Sequence, residues 1–242
     1  FLICLAGSLQ AKEKPQDAMD RIRSFSITIL EKALQNENAF IRSAAARAAG
    51  ESENSALIPL LKKAARDSYH TTRLFALQGM KNISVDEARS LAIHMSKDLN
   101  VWVRGAAIEM LGDLGDGASG IIIRPHLESP DRAVRYSAAG ALFKLGDRSE
   151  LKVLLGGLKG GNSTDRYQAI GYLGKIGMEE VVPYLKNLLE GDEDEIVFYT
   201  LKAIGKNADI DLLPQLIQLT EHQNPSLRYQ SALVLGELSG VS

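Results

Sequence analysis

The sequence has one cysteine, Cys4, one tryptophan and only 6% aromatic residues over 242 residues. A single cysteine excludes an internal disulfide and a cysteine-based zinc site. Charges of the two signs nearly balance, with 28 Lys and Arg against 30 Asp and Glu, so the basic surplus that neutralises nucleic-acid phosphates is missing. No apolar run reaches the roughly 18 residues that span a bilayer. Because 45% of the residues are hydrophobic, we expect a soluble protein with a continuous core.

The first eleven residues form a separate short segment. Phe1 to Gly7 are mostly apolar, small and polar residues follow as far as Ala11, and charged residues begin at Lys12. This order is typical of the apolar core and cleavage site of a secretory signal whose basic start is missing. Residues 1–11 are therefore predicted to be a signal remnant, with export to the periplasm. The alternative is a leading helical turn of a preceding repeat, in which case the protein is cytoplasmic.

The dominant pattern is a repeat of 31 residues, in which an anchor position is followed by a small residue three positions later and an apolar residue seven positions later. The anchors are Arg42, Arg73, Arg104, Arg135, Arg166, Val197 and Arg228. The position before the anchor and those three and seven after it share one side of a helix. They predict a buried stripe on that side.

Each repeat is predicted to be a pair of helices. The position four before the anchor is occupied by Asn38, Tyr69, Asn100, Asp131, Asn162, Glu193 and Asn224. Five of these are Asn or Asp, which cap a helix start, and glycines eight or eleven positions after the anchor predict the helix end. One such hairpin leaves an apolar face that only stacking covers. We predict an all-α protein, an α-solenoid of about seven 31-residue helical hairpins, with a single domain over residues 16–240.

These repeats resemble the short HEAT-like repeats of phycobilin lyase subunits and of bacterial scaffold proteins. The segments that carry the resemblance are Val103–Ala107 with Leu111-Gly112, Val134–Ala139 with Leu142, and Leu227–Tyr229 with Leu235-Gly236. The resemblance covers residues 16–240 and departs at Val197, where the arginine is missing. It implies a fold but no single function, because the family includes scaffolds, enzyme subunits and enzymes. In this repeat type the anchor arginine usually pairs with carboxylates or carbonyls of the adjacent unit, for which Asp67, Asp98 and Asp131 are candidates.

Motifs for catalysis, metals or cofactors are weak. The four histidines stand at four different positions of the repeat, so no face gathers them. The His-Glu step through which an iron enzyme of related repeats binds its metal does not occur. Gly115–Gly120 matches the dinucleotide fingerprint only formally, because it follows a helix and not a strand. The acidic run Asp192–Glu195 lacks the spacing of a calcium loop. We predict no catalytic residue, no metal site and no cofactor.

One column of the repeat carries a candidate binding site. Directly after the last four anchors stand aromatic residues, which helical geometry places on the exposed, concave face of the second helices. The predicted partner-binding residues are Tyr136, Tyr167, Phe198 and Tyr229, extended by Tyr199 and Phe75. Protein partners bind rigid aromatic surfaces of this kind. The alternative is that each ring packs over the neighbouring helix and seals the stack.

The sequence favours a non-enzymatic scaffold that binds another protein, of unknown identity, along its concave face and binds no nucleic acid. The alternative comes from the resemblance. It is an accessory or catalytic subunit similar to the phycobilin lyases, which hold a tetrapyrrole in the groove.

Overall fold

A computed structural model describes residues 15–115, 117–159, 162–177, 179–191, 193–205 and 210–240. The helices alternate between first and second members of hairpins. The first helices are α1 Pro15–Ala33, α3 Ile58–Ala64, α5 Val85–Met95, α7 Ser119–Ile123, α9 Leu151–Leu158, α11 Val182–Leu189 and α13 Leu213–Leu219. The second helices are α2 Ala39–Glu51, α4 His70–Ile83, α6 Val101–Asp113, α8 Arg132–Lys144, α10 Ser163–Ile176, α12 Asp194–Ile204 and α14 Pro225–Leu238. The predicted all-α fold, an α-solenoid of helical hairpins, is confirmed.

Contacts between residues divide the chain into two compact units. Unit 1 is Phe1–Leu91 and unit 2 is Ala92–Ser242. In unit 1 the second helices α2 and α4 lie side by side, and in unit 2 the same holds for α6, α8, α10, α12 and α14 in succession. The expectation of a single domain over residues 16–240 stays a prediction. The proposed signal segment, residues 1–11, lies outside the described residues, and export stays a prediction as well. Within the described ranges, no helix has both the length and the apolarity needed to cross a bilayer.

The predicted apolar stripe forms the core. The small residues three positions after the anchors are all buried: Ala45, Ala76, Ala107, Ala138, Ala169, Thr200 and Ser231. The position seven after the anchor is buried in every repeat except the last, where Leu235 is half-buried. Leucines of the first helices, such as Leu61 and Leu154, complete the seam and are fully buried. Each such leucine contributes about 2 kcal/mol of transfer free energy, so the stacked hairpins stabilise one another.

The loop before each second helix has a recurrent hydrogen-bond pattern. The predicted N-cap side chains of Asn38, Asn100, Asp131, Asn162 and Asn224 accept backbone N–H bonds of their helices. Tyr69 and Glu193, which break the pattern, make no side-chain cap. In the described loops the anchor arginine donates from one amino group to the carbonyls five and six residues before it, as Arg104 does to Leu99 and Asp98 at 2.8 and 2.7 Å. The arginine therefore closes the loop of its own repeat.

The anchor arginines also reach the next repeat in places. Arg42 forms a bidentate ion pair with Asp67, as the resemblance implied. Its Nε donates to Oδ2 at 2.7 Å and its Nη2 donates to Oδ1 at 2.9 Å. Burial acts to raise the pKa of Asp67, but hydrogen bonds from Arg42 and from the Tyr69 N–H hold that pKa below its ordinary value. Asp131, also considered as an arginine partner, caps α8 as its place in the cap position predicted. Asp98 accepts the Asn100 N–H at 2.8 Å.

Some glycines eight positions after the anchors have a packing role that the repeat pattern does not reveal. They were expected to end the second helices, and Gly205 does so as the C-cap of α12, with a φ of 39°. Gly50, Gly112 and Gly174 instead lie within the last turn of α2, α6 and α10. A Cβ at Gly112 would lie 2.6 Å from the Cα of Ala141 in α8, and one at Gly50 would overlap the backbone of Gly79 in α4. These glycines allow neighbouring second helices to approach closely. As predicted, α6, α8 and α10 end near the glycines eleven positions after the anchor, Gly115, Gly146 and Gly177, whose φ angles of 69°, 100° and 60° favour glycine.

Candidate binding surface

The predicted aromatic column does not lie on one exposed face. Tyr136 is only 4% exposed, Tyr167 and Phe198 are half-buried, and Tyr229 is 67% exposed. Tyr199 and Phe75, one position further on, are half-buried. The expectation that the whole column is exposed is therefore wrong, and Tyr136 is the clearest case.

The reason is that a second helix has neighbours on two sides as well as its own first helix. The position after the anchor points toward the next repeat. The hydroxyl oxygens of Ser43 in α2 and Thr72 in α4 lie 2.9 Å apart, and the ring of Tyr167 in α10 stacks on that of Tyr199 in α12. Helical periodicity predicts the buried stripe that faces the first helix. It does not reveal the contact with the second helix of the next repeat, because that contact arises only when the repeats stack.

Tyr136 fills a space between three helices. Its ring meets that of Tyr172 of α10 edge to face, with centroids 5.8 Å apart, and its hydroxyl end packs on Gly157 of α9, where a Cβ would lie 2.8 Å from Cζ. Burial raises the pKa of Tyr136. The residue belongs to the hydrophobic core of unit 2.

Three other aromatic residues form a half-buried cluster on α10 and α12. The rings of Tyr167 and Tyr199 stack with centroids 4.2 Å apart and an interplanar angle of 26°. Phe198 meets Tyr199 edge to face at 5.7 Å, and Lys202 Nζ lies 5.7 Å from the centroid of the Phe198 ring. A hydrogen bond to the Glu195 carboxylate, together with burial, raises the pKa of Tyr167. We call these three rings the aromatic cluster.

A cavity of about 250 Å³, the central cavity, opens between α6, α8 and α10. Its lining residues are Glu109, Asp113, Ser137, Gly140, Ala141, Lys144, Tyr172, Lys175 and Ile176. Gly140 of α8 contributes no side chain to the cavity. A Cβ added there would lie 3.7 Å from its nearest neighbour, Cγ1 of Ile176. The missing side chain leaves room for polar groups of α6 and α10 to meet above α8.

Those polar groups form a network. Glu109 accepts hydrogen bonds from Ser137 Oγ at 2.9 Å and from Lys175 Nζ at 3.0 Å. Ser137 Oγ lies 3.1 Å from the Tyr172 hydroxyl, and Lys175 Nζ lies 4.5 Å from the centroid of the Tyr172 ring. The Glu109–Lys175 pair thus joins helices two repeats apart. At the rim, Lys144 donates to Asp113 at 2.8 Å.

A second opening, of about 400 Å³, lies between α10 and α12, and we call it the lysine groove. Lys175 and Lys202 flank it, and Tyr167 and Tyr199 form its aromatic wall. Gly171 leaves the side along α10 open, because a Cβ there would have no neighbour within 4 Å. Lys175 lines both openings, so the central cavity and the lysine groove are adjacent.

The repeat pattern alone did not lead to the charged residues of the central cavity. A signal for them was present, because Asp113, Lys144 and Lys175 all stand nine positions after their anchors. Side chains at this spacing share a face of successive second helices. Among the described residues, no group of three His, Cys, Asp or Glu side chains converges in a way that could hold a metal ion.

We expect Tyr172 to make folding stability depend on pH. Burial raises its pKa from 10 to about 12, with Ser137 acting in the opposite direction. The folded protein then holds the phenol proton more tightly than the unfolded chain does, so stability falls as the pH rises from about 10 to about 12. Urea denaturation over this pH range should show a steeper fall for the wild type than for Tyr172→Phe. Equal slopes would contradict the burial of this hydroxyl.

Comparison with known proteins supports the repeat assignment. Residues 122–201 match a family model described as HEAT repeats, which confirms the predicted HEAT-like repeats over that segment. No curated protein matches the sequence significantly.

Several solved structures align with almost the whole chain at low sequence identity. A chain from the CpcE–CpcF complex of the phycocyanin lyase of Nostoc sp. PCC7120 is 19% identical to this chain. The alignment covers 97% of this chain and 98% of that chain, with a TM-score of 0.45. The Escherichia coli protein YibA is 14% identical, and its alignment covers 96% of this chain and 98% of YibA, with a TM-score of 0.49. Human deoxyhypusine hydroxylase is 18% identical, and its alignment covers 96% of this chain and 93% of the hydroxylase chain, with a TM-score of 0.40.

Proposed function

We propose that unit 2 is a non-enzymatic scaffold that binds a protein partner along the face formed by α8, α10 and α12. The observation that carries this proposal is the aromatic cluster, which lies half-buried beside the lysine groove and is held in place by ring stacking at 4.2 Å. Of the residues predicted from the sequence, Tyr167, Phe198 and Tyr199 belong to this surface. Tyr136 does not.

The physical argument rests on rigidity and mixed polarity. Tyrosine rings bury a large area with few rotatable bonds, and rings that are already stacked lose little further freedom on binding. Charged groups lie beside the rings, with Lys175 bonded to Glu109 and Lys202 near the Phe198 ring. A preorganised surface of this kind contributes more to affinity than a mobile one of equal area.

Removing the rings tests the proposal. In the double variant Tyr167→Ser/Tyr199→Ser we expect affinity for the partner to fall at least about 30-fold, because truncating even one anchor aromatic typically costs about 2 kcal/mol or more and the effects of neighbouring rings are not additive. The partner is first isolated by cross-linking to the wild-type protein, and its dissociation constant is then measured for each variant. The helical circular dichroism spectrum should be unchanged.

The matched control is Tyr184→Ser. Tyr184 is 38% exposed but lies on the first helix α11. Its substitution should leave the affinity within about twofold, as expected of a ring outside the interface. Equal affinities for the wild type and the double variant would sink the proposal.

A second candidate function is suggested by the chemistry of the lysine groove. Two lysines beside stacked tyrosines suit a planar ring system with carboxylate substituents, such as a tetrapyrrole of the kind that the phycobilin lyases hold. Titration of the protein with a bilin or haem should then change the absorption spectrum of the pigment, and Lys202→Gln should weaken the change. An unaltered spectrum would rule this function out.

A further inference from the structure

We propose that the lysine groove binds a side-chain carboxylate of an acidic peptide segment, with Lys175 and Lys202 as its ligands. This inference rests on the proposed function, since the peptide belongs to the protein partner.

The charges of the groove favour an anion. No carboxylate of the described residues forms an ion pair with Lys202, which is exposed and lies near an aromatic ring. Lys175 is bonded to Glu109, yet its side chain is 55% exposed. An exposed pair of this kind contributes only about 0.2 to 1 kcal/mol, so a new carboxylate can replace Glu109 at low cost.

The shape of the groove favours a peptide side chain. The open position at Gly171 allows a peptide backbone to approach α10. The rings of Tyr167 and Tyr199 line the same groove and would shield an incoming carboxylate from part of the solvent. Partial removal of water strengthens its attraction to the two ammonium groups.

Glu109 acts as an internal competitor in this arrangement. It lies in the central cavity and pairs with the lysine that also lines the groove. Replacing Glu109 with glutamine removes the competing charge, while a hydrogen bond to Ser137 remains available. Affinity for an acidic peptide should therefore rise in Glu109→Gln, whereas it should fall in either lysine variant. If the Glu109–Lys175 pair only stabilised the fold, Glu109→Gln and Lys175→Gln would both lower the affinity for the peptide.

The probe is a short fluorescein-labelled peptide in which glutamate alternates with serine, compared with a peptide in which glutamine replaces glutamate. We expect the glutamate peptide to raise fluorescence anisotropy at low salt and to lose affinity as salt is added. Lys175→Gln and Lys202→Gln should each weaken binding about fivefold, and Glu109→Gln should tighten it by a similar factor. The control Lys152→Gln, on α9 and 72% exposed, should have no effect.

Several outcomes would overturn the inference: no binding of the glutamate peptide, equal binding of the glutamine peptide, no effect of the two lysine variants, or weaker binding by Glu109→Gln. The proposed function fails separately. If the tyrosine double variant loses the partner while the lysine variants keep it, the scaffold stands and the carboxylate subsite is wrong.

Discussion

Replacing Gly174 with alanine is expected to lower the free energy of unfolding by about 3 kcal/mol. Gly174 lies inside α10, and its new Cβ would overlap the backbone of Ala203 in α12 and lie 2.7 Å from the Ala203 Cβ. Backbone atoms of a neighbouring helix cannot rotate away, so α10 and α12 must move apart. Urea denaturation monitored by circular dichroism measures the loss.

Gly171→Ala provides a control in the same helix. A Cβ at Gly171 meets nothing within 4 Å, and alanine is the better helix former, so stability should rise by about 0.5 to 1 kcal/mol. The two substitutions are chemically identical and differ only in what the new methyl group meets. If both variants had the same stability, the close approach of α10 and α12 would be refuted.

Truncating Tyr136 to alanine is expected to cost about 3 to 5 kcal/mol, as for other large buried rings. The ring is almost fully buried and contacts Tyr172 and Gly157. Tyr136→Phe keeps the ring and should cost less than about 1.5 kcal/mol. Thermal and chemical denaturation of the two variants separate loss of packing from loss of the hydroxyl.

Gly157 supplies the complementary test of this contact. Gly157→Ala should destabilise the protein, because its Cβ would press on the end of the Tyr136 ring. The destabilisation should be smaller in a Tyr136→Phe background, where the hydroxyl is gone, and a double-mutant cycle measures the difference. Additive effects would mean that the two residues do not touch.

Much of the fold could be predicted from the sequence because the anchors recur every 31 residues. The buried small residues, the Asn and Asp caps and the number of hairpins follow from local rules: helical periodicity, capping chemistry and turn geometry. These rules act within one repeat. They apply in the same way to every copy, so seven copies reinforce the prediction.

The proposed binding surface could be predicted only in part. Tyr167, Phe198 and Tyr199 were found as an aromatic group, but Tyr136 was placed with them although stacking buries it. The central cavity was missed because it requires Glu109 and Lys175, which are 66 residues apart, to meet. A pattern read along one helix carries no information about a contact that spans two repeats.

The sequence by itself determined that the protein consists of helical hairpins, where each second helix starts, and which side of it is apolar. Only the tertiary structure decided which sides of the second helices face their neighbours, and hence that Gly112 and Gly174 permit close packing, that Tyr136 is buried and that Lys175 lines two adjacent openings. The physical reason is that hydrogen bonds and periodicity within a helix are local, whereas the depth and angle at which helices stack depend on side chains contributed by several repeats together.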